Sequence, residues 1–595
     1  MTCTKFKLTT VAALVLAATN ANAALYKVVE VTPSITGASE IFGVAIQPGK
    51  AVNVKAELPA LPDDELLLGC FDSNATNCAD STFKLAGETR NAVNGIGYRE
   101  EVPFAMDTPF QYIQERDDFE NYCYRELRYS TCESWADNRW ATWSKESDLS
   151  YVNAKAFIEN GSSISSYNVA ITALDDSGVP VGIESNGNDI RHNAVTTVPL
   201  IASSESRAFG ALTVDNGGTD IIYNFGSISV KGPATDTSST TFSSKAAIWK
   251  DGEVHEFTWE QGDIPQTGDY FAQGSMRSLV ANSGKLYGVG YDTVNGNGDL
   301  QDMNASVFVS DSLDISSATW TTKVISGAEV KSGSSNDDAI YSNSVATDIN
   351  DNLFAVGYAK RNGFVPESGS AGNKAFFVKD ASNPSATFLS SGIFFTGSGG
   401  EAKAVNNFNE FVGQIDAETI REVDGSERRH RGFIYPYKSD DDDDYVVPGT
   451  LTDRYKGVFQ SKAWWLDDLT NGENADGQDY SDANNHFRII DATDINDAGV
   501  ISATAIKCMI DTNGDGRGDS EQAYDTTSHN SYCGGASSNA VEEVVAVKLV
   551  PISGATEEDI QTRSTDTEKV DRQGAGLGWL GLTVLGLLGF RRKFK

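Results

Sequence analysis

ATDINDNLFAVG, residues Ala346–Gly357, decides the fold, because the chain repeats it. Four other gapless segments align with it: Ile171–Gly182 (ITALDDSGVPVG), Arg277–Gly288 (RSLVANSGKLYG), Ala402–Gly413 (AKAVNNFNEFVG) and Ala492–Ala503 (ATDINDAGVISA). The fourth position is always apolar (Leu174, Val280, Ile349, Val405, Ile495), the fifth and sixth are mostly Asn or Asp, and the last is small. A short strand ends at the apolar residue. Asn or Asp, often with a nearby Gly, is expected to supply the positive φ of a tight hairpin turn. A second strand then follows, with a Gly where sheets crowd together. The Asp-Ile-Asn-Asp copies resemble metal ligands, but turn formation accounts for them better. A weaker sixth copy is expected to end at Gly43 within GASEIFGVA.

Between these phrases lies a second element, a basic or small residue, Ala, then an aromatic-rich strand. Its copies are Lys155-Ala156-Phe157, Lys374-Ala375-Phe376 and Lys462-Ala463-Trp464, with looser ones at Ala246–Trp249, Ala305–Phe308 and Gly432–Tyr435. One such strand plus one hairpin makes a unit of three or four strands. The hairpin phrases start 106, 69, 56 and 90 residues apart. The first gap has room for a degenerate unit around Arg207–Gly226. A unit of about 45–55 residues matches a propeller blade. The expected fold is all-β, a β-propeller of about seven blades, with six or eight as neighbouring counts. Pairing Leu25–Val31 with Val544–Val550 in one blade would close the ring and remove its exposed edges. The irregular spacing argues for the alternative, a β-solenoid or two packed β-domains.

Residues Asp107–Leu149 break the β pattern and read as one or two helices stapled by Cys123 and Cys132. Tyr122, Tyr124, Tyr129, Trp135, Trp140 and Trp143 there could form a sugar-stacking face, although burial against the β body is the better-supported reading. The other cysteines of the body also fall in close pairs, Cys70/Cys78 and Cys508/Cys533, and an even count in an exported chain implies disulfides.

The two ends carry processing signals. Residues 1–23 read as a signal peptide, with basic Lys5 and Lys7, an apolar stretch Val11–Ala18 and the small-x-small site Ala21-Asn22-Ala23. The expected body spans 24–553, a polar stalk 554–573, and a hydrophobic sorting or anchor segment 574–595. In that segment the fourteen residues Leu577–Phe590 make only about 21 Å of helix against a ~30 Å hydrocarbon core, and Arg591, Arg592, Lys593 and Lys595 follow. The arrangement resembles the Gly-Gly C-terminal sorting signals of Gram-negative bacteria, with Ala575 as a departure from consecutive glycines. That resemblance implies export machinery and an intramembrane protease as partners, and a place at the cell surface or outer membrane. The alternation of an Ala-Phe/Trp strand with an Asn-Asp hairpin resembles the extracellular His-Ala-Phe repeat family, with Lys, Ser or Arg in place of His. The whole chain, from LYKVVEV to the tail, is similar to an uncharacterised family of exported gamma-proteobacterial proteins, a domain of unknown function. None of these resemblances contributes catalytic residues.

The net charge of −36 and a pI of about 4.4 argue against nucleic-acid binding, which needs a basic face. The sharpest chemical motif is Asp511-Thr512-Asn513-Gly514-Asp515-Gly516-Arg517-Gly518-Asp519, which matches the first half of a calcium loop. Asp511, Asn513 and Asp515 would ligate directly, Arg517 through its carbonyl and Asp519 through water. Gln522 stands where the bidentate Glu belongs, and Glu521 is one residue early. Asn295–Asp302 and Asn474–Asp479 are weaker relatives, and Asp440–Asp444 reads as a solvated loop. No nucleophile elbow, zinc-protease helix or phosphate loop is present, and His192, His255, His430, His486 and His529 lie in unrelated contexts. The expected function is therefore non-catalytic, a surface protein with a binding role towards a glycan or another protein, or a structural role, with calcium as a candidate cofactor. A secreted hydrolase or lyase acting on extracellular polymer is the alternative.

Overall fold

In the computed structural model the description covers residues 24–563. It leaves out 1–23, 564–595, the internal stretches 53–66, 96–114, 186–192, 197–205, 232–241, 296–300, 330–343, 361–372, 420–427, 439–453, 473–482 and 525–532, and a few shorter breaks. The signal peptide, the sorting segment, His192, His529, Asp440–Asp444, all of Asn474–Asp479 and most of Asn295–Asp302 therefore lie outside the described residues.

The twelve-residue phrase builds a β-propeller of seven blades, each an antiparallel sheet whose strands follow in chain order from the axis outward, except for the outermost strand of blade 7. Blade 1 holds Glu40–Ile46, Leu85–Arg90 and Ala154–Ile158. Blade 2 holds Val169–Leu174, Pro180–Glu184 and Asn193–Val195. Blade 3 is Ser206–Asp215, Asp220–Lys231, Phe242–Lys250 and Glu253–Glu256, the degenerate unit expected in the long gap. Blade 4 is Gly274–Asn282, Lys285–Asn295, Gln301–Ser310 and Trp320–Val324. Blade 5 is Ser344–Ile349, Ala355–Lys360, Asn373–Val378 and Ala386–Phe388. Blade 6 is Gly400–Val405, Glu410–Asp416, His430–Pro436 and Trp464–Trp465. Blade 7 takes Phe487–Ile495, Ile501–Ile510 and Ala540–Pro551 from the carboxyl side and its outer strand, Tyr26–Glu30, from the amino side.

That last pairing closes the ring. Each inner strand lies beside the inner strands of the two flanking blades, Glu40–Ile46 beside Phe487–Ile495 included. Cores form between blades. Val280, Val289 and Val307 of blade 4, for example, pack with Ala346, Ile349 and Phe376 of blade 5. Closure is also polar at the 7–1 joint, where the buried Lys548 ammonium donates to the Phe83 carbonyl at 2.8 Å and pairs with Glu159 at 2.7 Å.

Three sequence readings change. First, Gly43 does not end a hairpin phrase. It begins one, pairing with Gly87, and the phrase is split between Ile46 and Leu85 by an insertion carrying the Cys70–Cys78 bridge. Second, the aromatic strands are third strands of their blades, except Lys462-Ala463-Trp464. That copy feeds a two-residue fourth strand and then the short helix Leu466–Leu469, because Gly432–Tyr435 already fills the third place. Third, the described part of the polar stalk is docked. The Arg563 backbone N–H donates to Asp468 at 2.6 Å and its guanidinium to Asn485 at 2.5 Å, leaving Arg563 buried.

The helical insertion sits between the second and third strands of blade 1 as helices Arg116–Tyr122 and Glu133–Trp143, joined by Cys123–Cys132. Its aromatics pack mainly on one another. Trp135 and Trp143 are buried, Phe119 meets the Trp135 ring edge-on at 6.1 Å, and only Tyr124 among the six is exposed. The third bridge, Cys508–Cys533, lies at the outer end of blade 7. Among the described residues no helix is long and apolar enough to cross a membrane.

Candidate functional site

The inner strands are interrupted at the same point in every blade. Each carries a one-residue bulge there, at Val44, Thr172, Phe209, Arg277, Thr347, Lys403 and Thr493 in blade order, and blade 7 has a second at Ile490. A bulge re-aims the extra side chain and twists the strand. It also pushes the preceding carbonyl across the sheet, and this explains the small residue that closes the phrase. A Cβ on Gly182, Gly226, Gly290, Gly357 or Gly413 would press into the carbonyl oxygen of Ala170, Arg207, Ser275, Val345 or Glu401. The crowding is therefore within a blade, not between sheets. In blade 4 the residue so placed is Gly290, not Gly288. A two-residue turn with positive φ at both Ser283 and Gly284 lengthens that hairpin, which the gapless alignment could not register.

The turn itself also differs from expectation. The positive φ falls on the eighth position (Gly178, Leu353, Asn409, Gly499), not on the fifth. The fifth residue instead caps the loop with its side chain. Asn350 Oδ1 accepts from the N–H groups of Asn352 and Phe354, both at 3.0 Å, and Asn406 Oδ1 accepts from Phe408 and Glu410 at 3.0 and 3.1 Å. Its amide nitrogen is left to reach the next blade. Asn350 donates to the Asn406 carbonyl (2.8 Å), Asn406 to that of Asn496 (3.3 Å), and Asn496 to that of Gln47 (3.0 Å). Asn282 donates likewise to Asp351 (2.7 Å) and Gln47 to Asp176 (3.2 Å). One amide thus bridges each of five consecutive joints, from blade 4 round to blade 2. At the 2–3 joint the Thr172 hydroxyl donates to the Ala208 carbonyl at 2.9 Å, and at the 3–4 joint the Arg277 guanidinium lies 3.9 Å over the Phe209 ring.

Inside this ring the channel opens into a cavity of about 330 Å³. It is lined by six of the seven bulged residues, by apolar fourth-position side chains such as Leu174, Ile349 and Ile495, and by Asp348, Asp351, Asp494 and Asp497. Two of these carboxylates are structural caps. Asp348 accepts from Ser278 Oγ (2.6 Å), its neighbour Ile349 N–H (2.9 Å) and Val405 N–H of blade 6 (2.8 Å). Asp494 accepts from Ile495 N–H (2.8 Å) and from Ile46 N–H of blade 1 (2.9 Å). Burial pushes Asp348 up to about 6 and Asp494 up to about 7 in spite of these donors. Asp351 and Asp497 share the Asn407 amide, each at 3.0 Å. Lys403 is paired with Asp491 at 2.6 Å. Arg277 differs from all of these. Its Nε and one Nη are buried without a hydrogen-bond partner among the described residues.

The calcium-like loop folds on itself. Asp511 accepts from the N–H groups of Asn513 (3.1 Å), Gly514 (2.5 Å) and Gly516 (2.8 Å), Asn513 Oδ1 from Asp515, and Asp515 from Arg517. Asp519 accepts from the Thr512 N–H at 2.9 Å and hydroxyl at 2.7 Å. These bonds, Gly516 first, hold the Asp511 carboxyl below the usual range. Among the described residues no three His, Cys, Asp or Glu side chains gather closely enough to hold a metal ion. The described histidines remain apart from the cavity. His255 stacks on Trp320 at 5.4 Å with its pKa lowered by burial, His430 faces Asp416 at 3.3 Å, and His486 faces Glu521 at 3.8 Å.

Sequence reasoning missed the cavity residues, Arg277 and Phe209 above all. The signal was present. Arg277 heads the RSLVANSGKLYG copy where the other four have Ala or Ile, and that mismatch is the bulge displaced by one residue. Comparison with curated proteins gives no match. A family model described as a protein of unknown function (DUF3466) matches residues 227–593, from the second strand of blade 3 through blade 7 to the tail, and the chain belongs to that family.

Proposed function

We propose that the protein is exported, held at the cell surface by its carboxyl end, and acts there as a non-catalytic binding module whose ligand enters the mouth of the propeller channel. The observation that carries this reading is the state of the cavity's acids. Asp348 and Asp494 spend their oxygens tying one blade to the next, and Asp351 and Asp497 hold a shared amide. A hydrolase acting on a polymer would need two such acid or base groups placed across the reacting bond, and among the described acids of the cavity only Asp351 keeps an oxygen outside these bonds. Three disulfides in the body suit an oxidising compartment. Calcium enters the same reading as a proposal for the 511–519 loop, where an ion would have to share the oxygens that now accept the loop's own N–H groups.

The test is a glycan and surface-protein binding screen of the full chain beside Ala211→Trp, which places an indole at the cavity wall. The expected result is saturable binding lost in the plugged variant. Hydrolysis of an extracellular polymer by the wild type, with no ligand lost on plugging, would overturn it.

A further inference from the structure

We infer that Arg277 is the recognition residue of the channel mouth and that its ligand is a sugar acid, a polyhydroxylated ring whose carboxylate pairs with the guanidinium. This rests on the binding reading above and names its ligand class. A buried guanidinium edge without partners is costly, and at the wall of a cavity a bound anion would offset that cost. The two unpartnered donors are Nε and an Nη. Nε and Nη2 share one edge of the guanidinium, and that edge is the fork that takes a carboxylate bidentately. Phe209, at 3.9 Å, and Tyr291, at 5.5 Å, hold the plane of the group from neighbouring strands. A side chain so clamped is prepared to bind rather than free to turn to solvent.

The rest of the cavity selects what carries the carboxylate. About 330 Å³ lies at the small end of ligand pockets, the scale of one sugar ring. Leu174, Leu279, Ile349 and Ile495 offer apolar wall for the C–H face of such a ring. Asp351 offers an acceptor for its hydroxyls at the level of the turns, since only one of its oxygens meets the Asn407 amide, whereas both oxygens of Asp497 accept from Asn407, one from the side chain and one from the backbone N–H at 2.8 Å. Four acids line the same cavity, and their repulsion weighs less on a carboxylate monoanion than on a phosphate dianion. Lys403 does not compete as the anchor, because Asp491 already neutralises it.

The experiment is calorimetric titration of the full chain with sodium galacturonate, sodium glucuronate and trigalacturonate, with galactose and sodium acetate as neutral and bare-anion controls. One saturable site for a sugar acid is expected, tighter than either control. Arg277→Gln should weaken it about tenfold or more, and Arg277→Lys, which keeps the charge but not the fork, should fall between. Arg277→Lys also serves if Arg277→Gln unfolds. Tighter binding of trigalacturonate than galacturonate assigns the chain end of a polymer as the source, and equal binding assigns the free sugar acid. Undiminished binding in a folded Arg277→Gln, or no binding of any of the three acids, would overturn the inference. A neutral glycan that binds wild type and is lost in Ala211→Trp, with no acid bound, would leave the binding function standing while this inference falls.

Discussion

The two sides of the ring are built differently. From blade 4 round to blade 2 the joints share one device, an Asn or Gln amide from one hairpin donating to a backbone carbonyl of the next. Around blade 3 this device is replaced. Its hairpin runs on to the pair Asp215 and Asp220 instead of turning at the cavity, and the 3–4 joint at the mouth is an arginine stacked on a phenylalanine. The difference teaches where to look for function in a repeat protein. Symmetry marks what every blade needs in order to stand beside its neighbour. The break in symmetry marks what the molecule does only once.

The largest effect should come from breaking the symmetric side within a blade. Gly413→Val forces a Cβ into the Glu401 carbonyl at a bulge that cannot relax without moving its strand. A loss of about 3 kcal/mol is expected from such overpacking, readable by urea unfolding. A near-wild-type midpoint would show that the bulge is soft.

Next in size is Asn406→Ala. It removes the cap of its own turn, the bond to the Asn496 carbonyl and the 2.7 Å bond from the amide to Glu410, whose carboxylate keeps its ion pair with Arg454. A loss of about 2 kcal/mol is expected. Asn282→Ala, whose bond to Asp351 is exposed, should cost well under half of that. Equal costs would mean that the amides act as isolated turn caps and not as joints.

The joints also predict a pH dependence. Asp348 and Asp494 titrate at about 6 and about 7 in the fold, above the ordinary carboxylate value near 4. The native state therefore holds protons that the unfolded chain has lost. Their contribution to stability is full below about pH 4 and is lost as pH rises through 7. Asp494→Asn should flatten the fall in melting temperature between pH 5 and pH 8, whereas an unchanged slope would place the titration elsewhere. The smallest expected effect is at the 511–519 loop, where millimolar calcium should raise the melting temperature by about one or two degrees over chelator. No shift would remove calcium from the account.

Much of this fold could be read before any coordinates. Period, hairpin chemistry and the strand-like stretches at the two ends of the body pointed to a closed ring of about seven blades, six to eight by count, and proximity paired Cys70 with Cys78, Cys123 with Cys132 and Cys508 with Cys533. The cavity could not be read, for a physical reason. A bulge changes which face a side chain takes without requiring one residue type: Thr recurs there at 172, 347 and 493, but Val44, Phe209, Arg277 and Lys403 hold the same position with no common chemistry. Pattern also misplaced the turn. Asn at the fifth position suggested positive φ, but its role is to cap, and the eighth residue, whether Gly499 or Leu353, bends the chain.

The most direct test of the division between the two sides is one differential calorimetry series on wild type, Asn406→Ala and Arg277→Gln, each with and without saturating galacturonate. Asn406→Ala should melt lower and keep the ligand-induced rise. Arg277→Gln should melt within a few degrees of wild type and lose the rise. If instead Arg277→Gln keeps the rise, or Asn406→Ala loses it while melting like wild type, then the symmetric joints and the unique site are not separate devices, and the account is wrong.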